Sequence, residues 1–236
     1  MKKSLILLTL NEIEGITALH DRIPFDAADE VLFVDGGSTD GTLEFLEKKK
    51  LRVVGQEKKG RGEAFRIAFE ETDGDVLCFF SPDGNEDPAD IPGLFAAVEA
   101  GSDMAIARRF GKGARNEEDD LTFPFRAWAN QGFTLLANLA FNGRGVFFDR
   151  KSYIRDTING YRAITRDAFS RLNVDAQGFL IEYQMSMRAM KLGLSITEIP
   201  TIESDRIGGE STATSLPTGF RFIRGLAREI ALGRRF

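Results

Sequence analysis

The sequence predicts an α/β fold with a mainly parallel central sheet flanked by helices, and three observations carry that expectation. Short apolar runs alternate with helix-period stretches through the first half of the chain, the pattern of strands joined by crossover helices. Val76, Leu77, Cys78, Phe79 and Phe80 form an unbroken apolar run between Asp73-Gly74-Asp75 and Pro82, which is how a strand covered on both faces reads. Polar and acidic residues follow the strand-like runs directly, where ligands collect in an open parallel sheet.

The elements follow in order. Leu5 to Thr9 is the first strand and a helix starts near Glu14; Val31 to Val34 is the second strand. Asp35-Gly36-Gly37-Ser38-Thr39-Asp40-Gly41-Thr42 turns into a helix whose apolar face is Leu43, Phe45 and Leu46. Arg52 to Val54 makes a short third strand, and Gly60-Arg61-Gly62 opens a helix carrying Ala64, Phe65, Ile67, Ala68 and Phe69. The apolar run at 76 to 80 is the fourth strand, followed by a helix over Ile91 to Val98 and a strand over Met104 to Ala107. From Gly111 to Asp120 the composition predicts a mobile charged loop. Trp128 to Phe141 reads as a mostly apolar helix, and Arg144 to Arg155 as an irregular excursion. Helices over Ala168 to Leu172 and Glu182 to Lys191 precede a strand over Ser195 to Ile199, stopped by Pro200. From Gly219 to Arg235, Phe220, Ile223, Ala227 and Ile230 share one helical face and Arg221, Arg224 and Arg228 another. That basic amphipathic helix either docks on the preceding domain, packs on a second copy of the chain to give a homodimer, or lies on a membrane surface. The domain division is therefore a catalytic unit over 1–212 and a C-terminal helix over 213–236.

Composition narrows the function classes. A net charge of −5 over 236 residues implies no general affinity for nucleic acid. A single cysteine, Cys78, excludes an intramolecular disulfide and sits within an apolar strand; a single histidine, His20, expected on a solvated helix surface, argues against a His-centred triad or a His-rich zinc site. The opening Met1-Lys2-Lys3 with its apolar run imitates a signal peptide but is interrupted by Asn11-Glu12, so a cytoplasmic protein is expected, with a peripheral contact at the inner face of the membrane as the role open to its last helix.

Chemistry is expected in the loops that leave the strands. Ser81, Asp83, Asn85, Glu86 and Asp87 are closely spaced oxygen donors beyond the fourth strand, suited to a hard cation such as Mg²⁺ or Mn²⁺ shared with phosphate, and equally to a plain turn. Asp35 ends the second strand in a position to take the imide N–H of a nucleobase, or to cap the following helix. Asn11 and Glu12 face the same crevice. Gly60-Arg61-Gly62 is a fragment of a dinucleotide fingerprint without its third glycine, which leaves Arg61 a ligand contact or a surface charge.

Thr-Leu-Asn-Glu at 9 to 12, Val-Asp-Gly-Gly-Ser-Thr-Asp-Gly-Thr at 34 to 42 and the acid loop after strand four, in that order, resemble the nucleotide-sugar half of a family-2 glycosyltransferase of the GT-A fold. Ala107-Arg108-Arg109-Phe110, the stretch from Asp156 to Arg162, Gly178 to Glu182, Glu198-Ile199-Pro200 and Arg206 to Ser211 resemble the polyprenyl-phosphate sugar transferases, such as dolichol-phosphate mannosyltransferase.

That resemblance implies an enzyme that moves a sugar from a UDP- or GDP-linked donor to a polyprenyl phosphate or similar acceptor, with inversion. It implies Thr9, Asn11, Glu12, Asp35, Gly37, Ser38, Asp40, Arg61 and Asp83 for the donor nucleotide. It implies Asp83 with Ser81 and Asn85 for a Mg²⁺ or Mn²⁺ ion, Arg109 at the diphosphate or acceptor phosphate, and Arg162, Arg206 and Ser211 on the acceptor side. Ser81 stands where the family's strand-four loop usually carries its first acid, and Thr212 where a lysine commonly follows the serine. Should the acceptor be a hydroxyl, Asp156 and Glu182 are the base candidates. A noncatalytic nucleotide-sugar binding protein is the alternative that Ser81 and Thr212 suggest. A sugar nucleotidyltransferase is disfavoured because no glycine-rich, lysine-bearing loop follows strand one.

Overall fold

The computed structural model describes residues 1–119, 125–149, 151–208 and 215–236. Its strands are β1 (Lys3–Thr9), β2 (Glu30–Asp35), β3 (Val53–Gly55), β4 (Val76–Phe80), β5 (Met104–Arg108), β6 (Arg162–Thr165) and β7 (Ile196–Pro200). They form one sheet in the order β3-β2-β1-β4-β6-β5-β7. The pairs β1–β2, β1–β4, β2–β3 and β5–β7 are parallel, and β6 lies antiparallel between β4 and β5. All strands but β6 therefore point the same way. The carboxyl ends of β1, β2, β4 and β5 and the amino end of β6 share one edge, and that edge carries the loops singled out above.

Helices cover both faces: α1 (Ile13–Leu19), α2 (Thr42–Lys48), α3 (Arg61–Glu71), α4 (Ile91–Glu99), α5 (Phe125–Phe141), α6 (Gly143–Phe147), α7 (Arg166–Leu172), α8 (Leu180–Leu192) and α9 (Ser215–Leu232). Alternation along β4 sends Leu77 and Phe79 into a core with Phe65 of α3, Phe169 of α7 and Met185 of α8. Val76, Cys78 and Phe80 enter the opposite core with Ile16, Leu46, Leu94 and Phe95 of α1, α2 and α4. Both faces are apolar because both are buried, which is why β4 reads as a continuous run. A third, smaller cluster joins Ala137 of α5, Tyr183 and Met187 of α8 and Phe222 of α9.

The structure departs from the sequence reading in several places. Strand β6 was not anticipated: it is four residues long and opens on Arg162, too short and too polar at its start to announce itself. The irregular excursion contains α6, capped by Asn142, whose side chain accepts from the Gly145 amide. The loop expected to be mobile is pinned as far as residue 119. Arg115 N–H donates to Thr201 O at 3.0 Å, Asn116 Nδ2 to Glu203 Oε2 at 2.6 Å, and buried Glu118 accepts from the Ala127 amide at 2.9 Å. His20 lies partly buried between the rings of Phe25 and Phe45 rather than on a solvated face.

The C-terminal helix docks, but through the face opposite to its apolar stripe. Phe222 and Leu226 pack on α5 and α8, and Gly225 faces Leu180 so closely that a Cβ there would clash with its side chain. Buried Glu229 anchors the far end. It accepts from Arg188 Nε and Nη2 at 3.1 and 2.9 Å and from Gln184 Nε2 at 2.9 Å, and pairs with Lys191. Phe236 lies over Arg188, 4.5 Å from the guanidinium carbon. Phe220, Ile223 and Ile230, the stripe expected to dock, are exposed. A buried acid that compensates two buried cations makes a sharp prediction: Glu229→Gln should lower the unfolding free energy by about 3 kcal/mol, read from urea denaturation, because it leaves Arg188 and Lys191 undercompensated in a low-dielectric site. A loss within experimental error would show that the network contributes nothing.

Candidate functional site

The loops after β1 and β2 are laced to each other. Asn11, held in the left-handed region at φ 56°, donates its amide to Ser38 Oγ at 2.8 Å and accepts from the Thr39 amide at 2.9 Å. Asp40 accepts from the Ile13 amide at 3.0 Å and from Thr42. Asp35 is the hub. Its two oxygens accept from the Gly37 and Ser38 amides at 2.9 and 2.8 Å and from the Thr9 and Ser38 hydroxyls at 2.9 and 2.6 Å. Those four donors saturate the carboxylate, so an incoming imide N–H has to displace one of them.

Two cavities open along this edge. The larger, about 580 Å³, is lined by Thr9, Asn11, Glu12, Gly36, Gln56, Lys59 and Arg221. The smaller, about 230 Å³, is lined by Asn85, Glu86, Arg109, Glu117, Arg126, Phe133, Asn159, Glu182, Glu203 and Phe222. They share Arg61, Ser81, Asp83, Phe179 and Arg206, so the β4 loop stands at the junction. Among the described residues, four buried side-chain polar atoms lack a partner, and three belong to residues lining these cavities: Gln56 Oε1, Glu182 Oε2 and Arg206 Nε. Buried polar atoms are ordinarily satisfied, so a cluster of exceptions around one space marks a place for a polar ligand.

The charges at the junction balance in pairs. Arg206 bridges Glu12 Oε1 at 2.6 Å and Asp83 Oδ2 at 3.0 Å. Arg61 pairs with Glu182 and donates to Ser81 Oγ at 3.2 Å, its guanidinium passing Gly160 where any Cβ would collide with it. Arg109 is bidentate on Asp156, Nε to Oδ2 at 2.8 Å and Nη2 to Oδ1 at 3.1 Å, and reaches Glu203 at 3.5 Å. Burial opposes the charged form of Asp156, yet Arg109 and the surrounding donors outweigh it and hold the pKa below the ordinary value. For Glu12, burial and the charge of Asp83 prevail over Arg206 and push the pKa up to about 7. Burial, then Asp83, pushes Glu86 up to about 8; Glu86 accepts from the Ser81 amide at 2.7 Å.

The cavities thus bring together Thr9, Asn11, Glu12, Arg61, Ser81, Asp83, Asn85, Arg109, Glu182 and Arg206. Other expected site residues lie elsewhere. Asp35, Gly37, Ser38 and Asp40 brace the loops from behind. Asp156 is fully buried beneath Arg109, with its oxygens occupied, and is corrected from a base candidate to the partner that orients Arg109. Arg162 is fully buried too. It donates to the Asn159 and Glu182 carbonyls and to Ser186, and burial lowers its pKa to about 10, so it bolts the floor of the site instead of lining the acceptor side. Ser211 and Thr212 lie outside the described residues. Sequence reasoning missed Gln56 and Glu203; Gln56 is the first residue past β3, and the rule that ligands gather beyond strand ends would have found it.

For the metal, Asp83 with the Ser81 hydroxyl and the Asn85 amide offers oxygen donors of the right hardness, beside Glu12 and Glu86. Among the described residues no group of three or more His, Cys, Asp or Glu is arranged to hold an ion. The set fits a cation completed by phosphate oxygens, the usual habit of Mg²⁺.

The raised acids set a pH dependence. Glu12 and Glu86 bind protons in the folded protein up to about pH 7 and 8, well above the ordinary carboxyl value of 4.5, so the stability these two acids contribute is full below that ordinary value and is lost as pH rises through their folded values. The melting midpoint of the ligand-free protein should therefore drop between pH 6 and pH 9 in differential scanning calorimetry. A midpoint that stays level or climbs would contradict this assignment of the acids.

Comparison with known proteins agrees with this architecture. The family model for glycosyl transferase family 2 matches residues 4–172. Glycosyltransferase AglJ of Haloferax volcanii is 30% identical, covering 86% of this chain and 63% of its own length. Dolichol-phosphate mannosyltransferase of Pyrococcus furiosus is 28% identical, covering 97% of this chain and 63% of its own length. The chain thus spans less than two thirds of either relative. Among solved structures, glucosyl-3-phosphoglycerate synthase of Mycobacterium tuberculosis with bound UDP superposes with a TM-score of 0.73 at 20% identity, over 98% of this chain and 80% of that one. The same enzyme with Mn²⁺ and UDP-glucose superposes with a TM-score of 0.69 at 22% identity, over 99% of this chain and 78% of that one. The fold is the GT-A fold expected from the motif order, and the chain belongs to glycosyl transferase family 2.

Proposed function

We propose that this glycosyltransferase moves a sugar from a nucleoside-diphosphate donor, UDP- or GDP-linked, to a polyprenyl phosphate, with inversion at the anomeric carbon. The observation that carries the reading is the junction of two cavities at Arg61, Ser81, Asp83 and Arg206, with unpaired buried polar atoms on its walls. In this reading the larger cavity takes the nucleoside, the junction takes the diphosphate, and the smaller cavity takes the acceptor head. The choice of a polyprenyl-phosphate acceptor rests on kinship with dolichol-phosphate mannosyltransferase and with the polyprenol monophosphomannose synthase of Mycolicibacterium smegmatis, 27% identical over 87% of this chain and 78% of that one. This reading expects the reaction at the cytoplasmic face of a membrane, where a polyprenyl-phosphate acceptor would meet the donor.

The chain's own groups account for the chemistry. An acceptor oxygen donates an electron pair to the anomeric carbon while the bond to the diphosphate oxygen breaks on the opposite face, and the departing nucleoside diphosphate keeps that pair. Arg206, freed from Asp83 and Glu12, and Arg61 at the junction would meet the charge developing there. A Mg²⁺ or Mn²⁺ ion held by Asp83 with Ser81 and Asn85 would neutralise the diphosphate further. Arg109, oriented by Asp156, presents its cation on the acceptor side. A phosphate acceptor is already ionised and needs no base.

A second reading has its own observation. The guanidinium groups lining the smaller cavity are all paired, Arg61 with Glu182, Arg109 with Asp156, Arg126 with Glu117 and Arg206 with Asp83, while Glu182 Oε2 is unpaired. That balance suits a neutral hydroxyl acceptor whose proton goes to Glu182.

Incubation with a panel of UDP- and GDP-sugars, polyprenyl phosphate and Mn²⁺, followed by mass spectrometry of the lipid, tests the first reading. Transfer is expected, and Asp83→Ala should lower kcat/KM by about 100-fold or more; absence of both transfer and slow donor hydrolysis across the panel would refute the proposal. Glu182→Gln separates the acceptors. With a phosphate acceptor the pH–rate profile keeps its shape, whereas with a hydroxyl acceptor the rate drops by about 10² to 10⁴ and the acidic limb, set by protonation of the base, disappears.

A further inference from the structure

Transfer to a phosphate acceptor needs no base, which leaves Glu182 without a task. It stands in the first turn of α8 and is only 2% exposed, yet it borders the smaller cavity and its Oε2 has no partner among the described residues. An unpaired buried carboxylate oxygen costs stability, so its partner is expected from a ligand.

The other oxygen is held in place. Glu182 Oε1 pairs with Arg61, whose guanidinium also donates to Ser81 Oγ at 3.2 Å and lies 5.8 Å from the ring centres of Phe65 and Phe179. Two glycines make room for this pair. A Cβ on Gly160 would fall on Arg61 Nη2 and lie 3.0 Å from Glu182 Oε1. A Cβ on Gly62 would fall on the Ala176 carbonyl, so α3 could not approach closely enough to deliver Arg61. The Gly60-Arg61-Gly62 stretch, incomplete as a dinucleotide fingerprint, is accounted for as the seat of an oriented guanidinium.

Position and chemistry narrow the occupant. With the nucleoside in the larger cavity and the acceptor in the smaller, the sugar that joins them crosses at the residues both cavities share, among them Arg61 and Phe179. Glu182 adjoins Arg61 at that crossing, and Phe179 supplies an apolar wall for the C–H groups of a sugar. An ionised carboxylate accepts hydrogen bonds and donates none. Its free oxygen therefore favours a hydroxyl and repels a sugar carboxylate.

We infer that Glu182, oriented by Arg61, is a specificity-determining residue for the donor sugar: its Oε2 accepts one hydroxyl of a neutral hexose and excludes a uronic acid. The inference rests on the donor reading given above and places Glu182 in the binding of the donor rather than in proton transfer.

Calorimetric titration with Mn²⁺ and without an acceptor tests this through binding alone. UDP- and GDP-linked hexoses are compared with UDP and GDP, with the matching uronates, and with monodeoxy analogues of the hexose that binds most tightly. One of those analogues should bind about tenfold or more weakly than the hexose, because its missing hydroxyl leaves Oε2 unpaired, and the uronate should lose at least as much. Glu182→Gln should turn its amide oxygen to Arg61 and set N–H groups in place of Oε2. Affinity for the hexose nucleotide should then fall by about tenfold or more, the uronate should bind more tightly than it does to the parent, and affinity for the nucleoside diphosphate alone should not change. Gly160→Ala displaces the pair without removing a charge and should also erase the preference for the hexose over its deoxy analogue; it serves should the first variant fail to fold. Variants that keep the parent's sugar preferences would overturn the inference. So would a Glu182→Gln variant that binds every donor like the parent and loses only transfer, which would make Glu182 the base for a hydroxyl acceptor. Nucleotide binding indifferent to the attached sugar would remove this inference alone, whereas a parent chain that binds neither UDP nor GDP would remove the donor reading and this inference with it.

Discussion

The bridge from Glu12 through Arg206 to Asp83 is the interaction on which the site's organisation depends. It follows from topology. A sheet whose strands run almost all one way sends the loops after β1, β2, β4 and β5 to a single edge, and β6, by running the other way, adds the loop before Arg162. Carboxylates from those loops would repel one another in a partly buried space, and guanidinium groups from distant parts of the chain hold them together. Arg206 comes from beyond β7, Arg61 from the start of α3, and Arg109 from the end of β5. Glu12 and Glu86, with pKa values pushed to about 7 and 8 chiefly by burial, show that the compensation is incomplete.

Incomplete compensation has a functional consequence. A site whose acids were fully neutralised would gain little from a cation, and one whose cations were unpaired would bind any phosphate. Here an anionic diphosphate would meet guanidinium groups already engaged, and a divalent ion would meet carboxylates already bridged. In the proposed reading each ligand would lower the cost of admitting the other: an ion held at Asp83 would compete with Arg206 for it, and a diphosphate would give Arg206 a new partner. Ser81 would make that mutual dependence stronger, because its hydroxyl adds no charge to the donor set.

Much of this was legible in the sequence because its signals are local. The unbroken run of β4 and the alternation of strands and helices gave the sheet, and the polar residues after Thr9 and Phe80 marked the edge that carries the site. What was not legible depends on contacts distant in sequence. Arg162 is expected on the acceptor side from the family resemblance, yet the antiparallel insertion of β6 between β4 and β5 places it under the floor. Asp156 reads as an available base until Arg109, 47 residues earlier, is seen to occupy it. The stripe of α9 is legible, but the face that docks is not, because it is built on Glu229, a charged residue that no hydrophobic pattern selects.

The most direct test of the account is the linkage between metal and nucleotide at the junction. Calorimetric titration of UDP and of GDP into the protein, with Mn²⁺ present and with EDTA in its place, should show affinity for the preferred nucleotide rising by about tenfold or more with the ion, and Mn²⁺ affinity rising by the same factor with the nucleotide. Nucleotide affinity unchanged by EDTA would mean that the acids bridged by Arg206 take no part in holding a cation, and the central claim would be wrong.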